Sequence, residues 1–343
     1  MKSHPEIKNL LPDELAEKAV ELGLPRYRAD QLISWIYEKN ATEWDSMTNL
    51  SKELRARMGE WFTLKVLRPE KTRLSADGAR KYLFKLPDGN RIESVLIPDG
   101  AKRTLCISTQ VGCALGCAFC RTGTLGFKRN LETWEIIEQV LAVRRDRPPD
   151  EAPSNIVLMG MGEPLFNYHN VVCAAKLMTY VNGLNLSHRK ITLSTVGIPE
   201  QIDKLARDNA PLSIAISVNA PDNETRSKIM PVNKKYPLDE TLEALTKFPL
   251  SNNNRATFEY VMLAGVNDSP LHARRLANKI KRFPCKVNLI AFNPFPGTDL
   301  KPSPRHVIEE FQAILRAKNL SAFIRKSRGA DILAACGQLA GEN

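Results

Sequence analysis

The chain predicts an α/β protein: a mostly parallel sheet with helices outside it, preceded by a helical segment. Two observations carry that prediction. From about residue 101 to 327, short β-branched or apolar runs alternate with segments of helical period, and such alternation builds crossover units that lay parallel strands side by side. Ahead of it, residues 1 to about 68 show helical period only, and the two regions are joined by a stretch that alternates on either side of "PDGN", a hairpin signal.

Taken in order, "DELAEKAVELGL" repeats apolar residues at Leu15, Ala19 and Leu22, and "RADQLISWIYEKN" does so at Leu32, Ile33, Ile36 and Tyr37. Between them "GLPRYR" breaks the pattern and sets Arg26 and Arg28 around Tyr27, either as a solvated turn or as cations and a ring for a phosphate backbone. The hairpin is expected in "KYLFKLPDGNRIESVLIPDG". Strands are then expected in "TLCIST", "NIVLMG", "KITLST", "LSIAISV", "ATFEYVML" and "VNLIAF", each followed by a helix. Six such units make either an open doubly wound sheet or a curved partial (β/α) barrel, and in both the loops after the strands' C-terminal ends carry the chemistry. The organisation expected is a helical domain over 1–68, a hairpin linker over 69–100, the α/β unit over 101–327 and a tail over 328–343. That tail, "RGADILAACGQLAGEN", is rich in small residues and carries Cys336.

Composition limits the classes of function. With 343 residues, 43% hydrophobic and 25% charged, the chain is ordinary for a globular protein. Its apolar runs fall short of the ~20 residues of a membrane span, and "MKSHPEIKNLLPDELAEKAV" is charged and helical in pattern, unlike a signal peptide. The expectation is a cytoplasmic protein with no membrane partner. Seven cysteines in a chain too large to need disulfide staples point to metal-binding or catalytic thiols in a reducing compartment. The excess of 49 Lys and Arg over 38 Asp and Glu gives +11, which favours a phosphate polyanion, the alternative being a solvated basic surface.

Three cysteines crowd into "VGCALGCAFCRTGTLGF": Cys113, Cys117 and Cys120. The spacing i, i+4, i+7 also marks one face of a helix, so three buried thiols on a helix are one reading. Gly112, Gly116, Gly123 and Gly126 oppose it, each costing a helix about 1 kcal/mol relative to alanine, and favour a loop folded about a bound centre. Zinc would require a fourth ligand, with Cys106 as the available thiol and no second short pair in the sequence. An iron–sulfur cluster is held by thiolates, and three of them leave one iron open. Other strand ends offer "MGMGEP", where Gly160 and Gly162 permit close backbone approach and Glu163 accepts from an ammonium group. Ser194, Ser217 and Asn293 stand in "LSTVG", "SVNAP" and "FNPFPG", placed to bond ribose, carboxylate or adenine. Cys173 and Cys285 read as packing residues.

The spacing Cys-x3-Cys-x2-Cys after the first strand resembles that of the radical S-adenosylmethionine enzymes. With "IESVLIP", "CISTQVGCALGCAFC", "GFKRNL", "MGMGEPL", "SKIMPVNKKYPLDE", "YVMLAGVNDS", "NPFPG" and "ADILAACGQL" in that order, the chain is similar to the RNA adenine methyltransferases of that class. The resemblance implies a partial (β/α)6 TIM-like radical SAM barrel. It also implies a [4Fe-4S] cluster on Cys113, Cys117 and Cys120, and S-adenosylmethionine contacts from Gly162, Glu163, Ser194, Ser217, Val218, Asn219 and Asn293. At Asn219 the family more often has histidine, so only a backbone contact is expected to carry over. Cys336 would be the methyl-accepting cysteine, Cys106 its resolving partner in a disulfide, and Glu93 the proton acceptor, whose alternative is a polar residue on the solvent side of a strand.

Carbon 2 of adenine lies between two ring nitrogens and is too electron-poor to attack a sulfonium methyl. The resemblance therefore implies a methyl group placed first on Cys336, a 5′-deoxyadenosyl radical that removes a hydrogen from it, and addition of the carbon radical to the ring. Loss of an electron and of the ring proton, with attack of Cys106 on the Cys336 sulfur, would release the product, so two S-adenosylmethionine molecules serve each turnover. The general base needs hydrogen-bond reach of the proton, and the Cys336 segment is expected to be mobile. The implied substrates are 23S rRNA and tRNA, with the target base splayed out of its loop and "PRYR", "KRNL" and "RKS" as phosphate contacts. An electron donor such as flavodoxin or ferredoxin and a monomeric state complete the expectation. The rivals are a related enzyme that methylates carbon 8 and a zinc-stabilised RNA-binding protein without catalysis.

Overall fold

The computed structural model describes residues 4–341; residues 1–3 and 342–343, in the predicted helical domain and tail, lie outside the described residues. Helix α1 (Pro12–Glu21) opens with proline, Asp13 and Glu14 in its first turn, and Glu14 Oε2 accepts from the Leu11 N–H at 2.7 Å, which satisfies a free donor at the positive end of the helix dipole. Helix α2 (Tyr27–Ile33) does not run through to Lys39: Ser34–Glu38 winds as a π-helix. Helix α3 (Lys52–Trp61) is capped by Ser51 Oγ, which accepts from Leu54 N–H at 3.2 Å.

Among the described residues the main sheet has ten strands. Strands β1 (Pro69–Leu74), β2 (Arg80–Lys85) and β3 (Arg91–Asp99) run antiparallel, and β3 pairs antiparallel with β4 (Lys102–Cys106). Strands β5 (Gln110–Gly112) and β6 (Phe127–Asn130) form a separate small hairpin around the one-turn helix α4 (Arg121–Thr124). After α5 (Thr133–Asp146) the chain returns as β7 (Asn155–Leu158), then α6 (Tyr168–Thr179), β8 (Ile191–Thr195), α7 (Pro199–Arg207) and β9 (Ser213–Ser217). Helices α8 (Asn223–Ile229) and α9 (Leu238–Leu245) lead to β10 (Ala256–Met262), followed by α10 (Pro270–Ile280), β11 (Cys285–Ala291), α11 (Arg305–Ala317) and β12 (Ser321–Arg325).

The parallel strands lie in the order β4-β7-β8-β9-β10-β11-β12. A doubly wound sheet reverses its strand order at a switch point. Here the order never reverses, so right-handed crossovers keep the helices on one face and the sheet curls about the other, as in a barrel. β1 and β12 stay unpaired to each other, and the barrel is open.

Two differences from the sequence reading follow from register. The hairpin is not a separate bridge but the antiparallel continuation of the barrel sheet, because Val95–Asp99 pairs with Lys102–Cys106 across a tight turn. A seventh parallel strand, β12, follows the last helix and adds to β11 from Lys286–Ser321 to Ile290–Arg325. "SAFIR" is short and half-exposed, with too little alternation to separate it from the tail.

The helical segment is fixed to α5 by buried charge. Lys8 Nζ lies 2.7 Å from Glu138 Oε1, both side chains being buried, and Glu138 Oε2 accepts from Leu67 N–H at 2.9 Å and from Arg145 at 2.6 Å. Such a pair is tolerable out of water only because its remaining lone pairs are hydrogen-bonded.

Candidate active site

All three clustered cysteines leave regular structure. Cys113 N–H donates to Gly126 O at 2.9 Å, Cys120 N–H to Cys117 O at 3.1 Å, and α4 begins only at Arg121. The helical-face reading is therefore excluded. The bend is forced at Gly112, whose φ is +75° and where a Cβ would fall 1.9 Å from Gly126 O, a position no other residue takes.

The same cavity, about 150 Å³ in volume, is lined by Cys113, Cys117, Cys120, Glu163 and Cys336, with Ser194, Ser217, Asn219 and Asn293 from successive strand ends. A larger open groove of about 600 Å³ lies between the helical segment and the barrel, but it carries no thiol and mixed charge, so size alone does not mark the site. Two strand exits close tightly at the cavity floor. Gly160 N–H donates to Ile107 O at 3.0 Å, and Thr109 and Gln110 N–H both reach Met161 O. A Cβ on Gly160 would meet Ile107 backbone at 2.7 Å, and one on Gly162 would meet Gln110 at 2.5 Å. These glycines serve strand-to-strand packing as well as the cavity they line.

Glu163 is buried; its Oε1 accepts from Leu165 N–H and its Oε2 from Val196 N–H, each at 3.0 Å. Burial nonetheless pushes its carboxyl up to about 7, so an arriving cation would favour the charged form. Ser194 and Ser217 oxygens stand 3.5 Å apart across β8 and β9. Asn293 Nδ2 donates to Cys336 O at 3.1 Å. Asn219, at φ +55° in a region asparagine tolerates, gives its Oδ1 to Val261 N–H at 2.8 Å. Val218 does not line the cavity: its N–H goes to Glu259 O and its C=O accepts from Ala220 N–H and Arg226 Nε.

Cys106 is buried on β4, and burial with the neighbouring Cys336 raises its thiol. Cys336 retains accessible surface at the cavity it lines, yet surrounding protein, Glu259 and Cys120 push its thiol up to about 12. Both cysteines are free. Glu93 is not a solvent-side residue: it is 1% exposed, 2.9 Å from Lys81 Nζ, and its Oε2 accepts from Ala340 and Gly341 N–H at 2.7 and 3.1 Å. It stands outside the cavity lining. The tail is thus docked rather than loose.

Two residues escaped the sequence reading. Glu259 lines the cavity from β10; a lone carboxylate inside the apolar run "ATFEYVML", in a strand buried on nearly every residue, was the available signal. Arg226 is fully buried and donates to the carbonyls of Val196 (2.6 Å), Ser217 (3.2 Å), Val218 (3.0 Å) and Tyr236 (3.2 Å) and to Asn233 Oδ1 (2.6 Å). Burial lowers it to about 10, against the opposing pull of Cys117. Of the basic stretches, Arg129 is already bound to Asp88 and Glu135, and Arg26 to Asp13.

The donor set fits a cluster. Burial and mutual repulsion hold the Cys113 thiol up at about 12 and raise Cys117, a charge arrangement that bound iron would relieve. Among the described residues no three His, Cys, Asp or Glu side chains are placed to hold a single ion, whereas a cubane spreads its thiolates over separate corners. The four-cysteine zinc site gains no support.

Residues 107–277 match the radical SAM superfamily, and residues 6–64 match the ribosomal RNA large subunit methyltransferase N-terminal domain. A dual-specificity RNA methyltransferase RlmN of Pelobacter propionicus is 47% identical over 98% of this chain and 96% of its own length, and one of Geobacter sulfurreducens is 46% identical over 98% and 92%. The chain belongs to the dual-specificity RNA methyltransferase family. A crystal structure of a radical SAM methyltransferase from Sphaerobacter thermophilus, 40% identical, superposes with a TM-score of 0.91 over 98% of this chain and all of that one. Members of the family use a [4Fe-4S] cluster and S-adenosylmethionine, and the open barrel just described is the radical SAM fold. No described helix is long and apolar enough to cross a membrane.

Proposed function

We propose that this protein methylates carbon 2 of adenosine in 23S rRNA and tRNA, with Cys336 as the methyl carrier. The observation that carries the reading is the convergence of Cys113, Cys117, Cys120, Glu163 and Cys336 on one cavity. Cys113, Cys117 and Cys120 would hold the [4Fe-4S] cluster, which when bound supplies the electron that opens the S-adenosylmethionine sulfonium. The chain's own residues bind and orient. The Glu163 carboxylate, fixed by two backbone N–H groups, accepts from the cofactor's ammonium; Gly162 brings backbone close; Ser194, Ser217 and Asn293 present polar atoms around it. Asn219 contributes backbone, since its amide oxygen is already engaged, and Val218 acts through its backbone, whose carbonyl accepts from Arg226 Nε.

Cys336 accepts a methyl group from S-adenosylmethionine as its thiol proton leaves. One hydrogen atom of that methyl group would pass to the 5′-deoxyadenosyl fragment of a second S-adenosylmethionine, the remaining methylene carbon would join the base, and the adduct would give up one electron to the cluster together with the ring proton. The Cys106 thiolate would then attack the Cys336 sulfur while the departing carbon takes up a proton to become the new methyl group. The S–S bond forms as the C–S bond breaks, and the pair needs two electrons from a small electron-transfer protein to return to thiols. The ring proton goes to Glu93, which must first give up part of its hold on the tail because both its oxygens are engaged. A cytoplasmic monomer is part of the same proposal, with a helical domain over 1–68, a barrel unit over 69–327 that includes the antiparallel extension, and a tail over 328–343.

The test is anaerobic. Cluster-loaded protein, S-adenosylmethionine, a reductant and unmodified rRNA and tRNA are combined, and the digested RNA is compared with 2-methyl- and 8-methyladenosine standards by mass spectrometry. 2-Methyladenosine in both RNAs is expected. An 8-methyl product would move the chain to the carbon-8 reaction, and no methylated base from a protein that still cleaves S-adenosylmethionine would overturn the substrate.

A further inference from the structure

The antiparallel extension β1–β3 contributes no residue to the cavity, yet it touches the tail at both ends. In the β1–β2 turn, Asp77 Oδ2 accepts from Gly329 N–H at 3.0 Å, and Asp331 accepts from Ser75 Oγ at 2.5 Å and from Ala76 N–H at 3.1 Å. On β2, Lys81 Nζ donates to Leu333 O at 3.3 Å. On β3, Glu93, paired with Lys81, receives Ala340 and Gly341 N–H.

Between these ties the segment around Cys336 is held by the barrel instead. Arg121 N–H donates to Gly337 O at 2.7 Å, Thr122 Oγ1 to Leu339 O at 2.6 Å, and Gln338 Nε2 to Pro294 O at 2.7 Å. The backbone turns at left-handed residues on either side of the thiol: Leu333 at φ +52° and Gly337 at φ +85°. A non-glycine residue there is uncommon and persists where its surroundings hold it.

We propose that β1–β3 is a clamp on the tail, in which Ser75 and Lys81 of the extension and Asp331 of the tail are positioning residues for Cys336, fixing the ends of the tail while the thiol between them faces the cavity. The proposal rests on the reading of Cys336 as the reacting thiol. A thiol that must meet a methyl donor, a base and Cys106 in turn needs fixed ends and a movable middle, since small misplacements of a reacting group cost rate. None of the three positioning residues lines the cavity.

The test uses the full-length, cluster-loaded protein and the substitutions Asp331→Ala, Ser75→Ala and the pair together, with Asp331→Asn as the conservative change. Alkylation of Cys336 by iodoacetamide is followed by peptide mass, and 5′-deoxyadenosine formed per methylated adenosine is counted in the same preparations. Expected are about fivefold faster alkylation in Asp331→Ala, the size of one ordinary hydrogen bond, a higher deoxyadenosine-to-product ratio at unchanged melting temperature, partial rescue by Asp331→Asn, and a double variant no worse than Asp331→Ala alone, which already loses the bonds to Ser75 and Ala76. Parent-like alkylation and product ratio in folded Asp331→Ala and Ser75→Ala proteins would overturn the clamp. A parent enzyme that makes no methylated base would overturn the proposed function instead, and the alkylation rates would still decide this one.

Discussion

The two segments that bring cysteines to the cavity are held in opposite ways. The loop from Cys113 to Gly126 closes on itself, with Cys113 bound to Gly126, Cys120 to Cys117 and Gly123 to Cys120, inside the hairpin of β5 and β6. The tail from Gly329 to Gly341 has no strand of its own and is tied to residues far away in sequence, from Asn293, 43 positions off, to Ser75, 256 positions off. A set of ligands for a resident group gains from a frame that forms locally and stays formed. A thiol that must be alkylated, consumed and restored gains from a frame that can let go.

The largest expected effect separates the two segments. Cys113→Ala and Cys336→Ala should each bring methylated RNA below about a thousandth of the parent level, as loss of a reacting group does. They should differ in everything before that step. Cys336→Ala is expected to keep about four irons per chain, the brown colour and cleavage of S-adenosylmethionine; Cys113→Ala should lose all three. Loss of the cluster in Cys336→Ala, measured by iron analysis, would mean that the tail is part of the ligand frame and that the contrast is false.

Next comes Arg226, whose side chain holds the strand ends of β8 and β9 beneath the cysteine loop. Arg226→Met takes a donor from the carbonyls of Val196, Ser217 and Tyr236 and from Asn233 Oδ1, and each buried group left unsatisfied costs about 1–3 kcal/mol. A loss of about 3–5 kcal/mol in urea unfolding is expected. A loss below about 1 kcal/mol would show that water replaces the guanidinium. Smaller still, Glu163→Gln keeps its shape but loses its charge, and S-adenosylmethionine should bind about tenfold more weakly, the share of a charge-assisted bond, as read by equilibrium titration of cluster-loaded protein.

The contrast also explains what the sequence revealed. Cys113, Cys117 and Cys120 sit so close in the chain that spacing and flanking glycines describe their loop by themselves. The presence of parallel strands with helices outside them followed from alternation of patterns; their order did not, since a doubly wound sheet and a barrel share that pattern, and neither did β12, because a five-residue half-exposed strand at the end of the series has no periodicity to announce it. Arg226 looked like one more charge in "ETRSKIMPVNKK"; its burial depends on carbonyls from three other places in the fold, Val196, Ser217 with Val218, and Tyr236. Glu93 was foreseen as important by resemblance, yet its grip on Ala340 and Gly341, 247 and 248 residues away, is a property of the folded chain only. What is local in space and sequence was legible, and the tail's docking is neither.

An ion pair ties the cysteine loop's hairpin to the clamp, beside the direct bonds from Arg121 and Thr122 to the tail, and it carries the smallest prediction. Arg129 on β6, beside the cysteine loop, reaches Asp88 in the β2–β3 turn at 2.6 Å and Glu135 on α5 at 2.7 Å. The guanidinium, with help from Asn90, holds the Asp88 carboxyl down at about 2. A carboxyl lowered in the folded state stabilises it above the unfolded value of about 3.9 and loses that contribution as pH falls through about 2. Both side chains are about one-third exposed, so solvent screens the pair and Asp88→Asn should cost only about 0.2–1 kcal/mol. The cost should hold from pH 7 to about pH 5, narrow below pH 4, and shrink in high salt. If Asp88→Asn also speeds iodoacetamide attack on Cys336 without touching the cluster, the clamp and the cysteine loop are mechanically joined through Arg129; if alkylation stays at the parent rate, Arg129 plays no part in holding the tail, and the loop reaches it only through the bonds of Arg121 and Thr122.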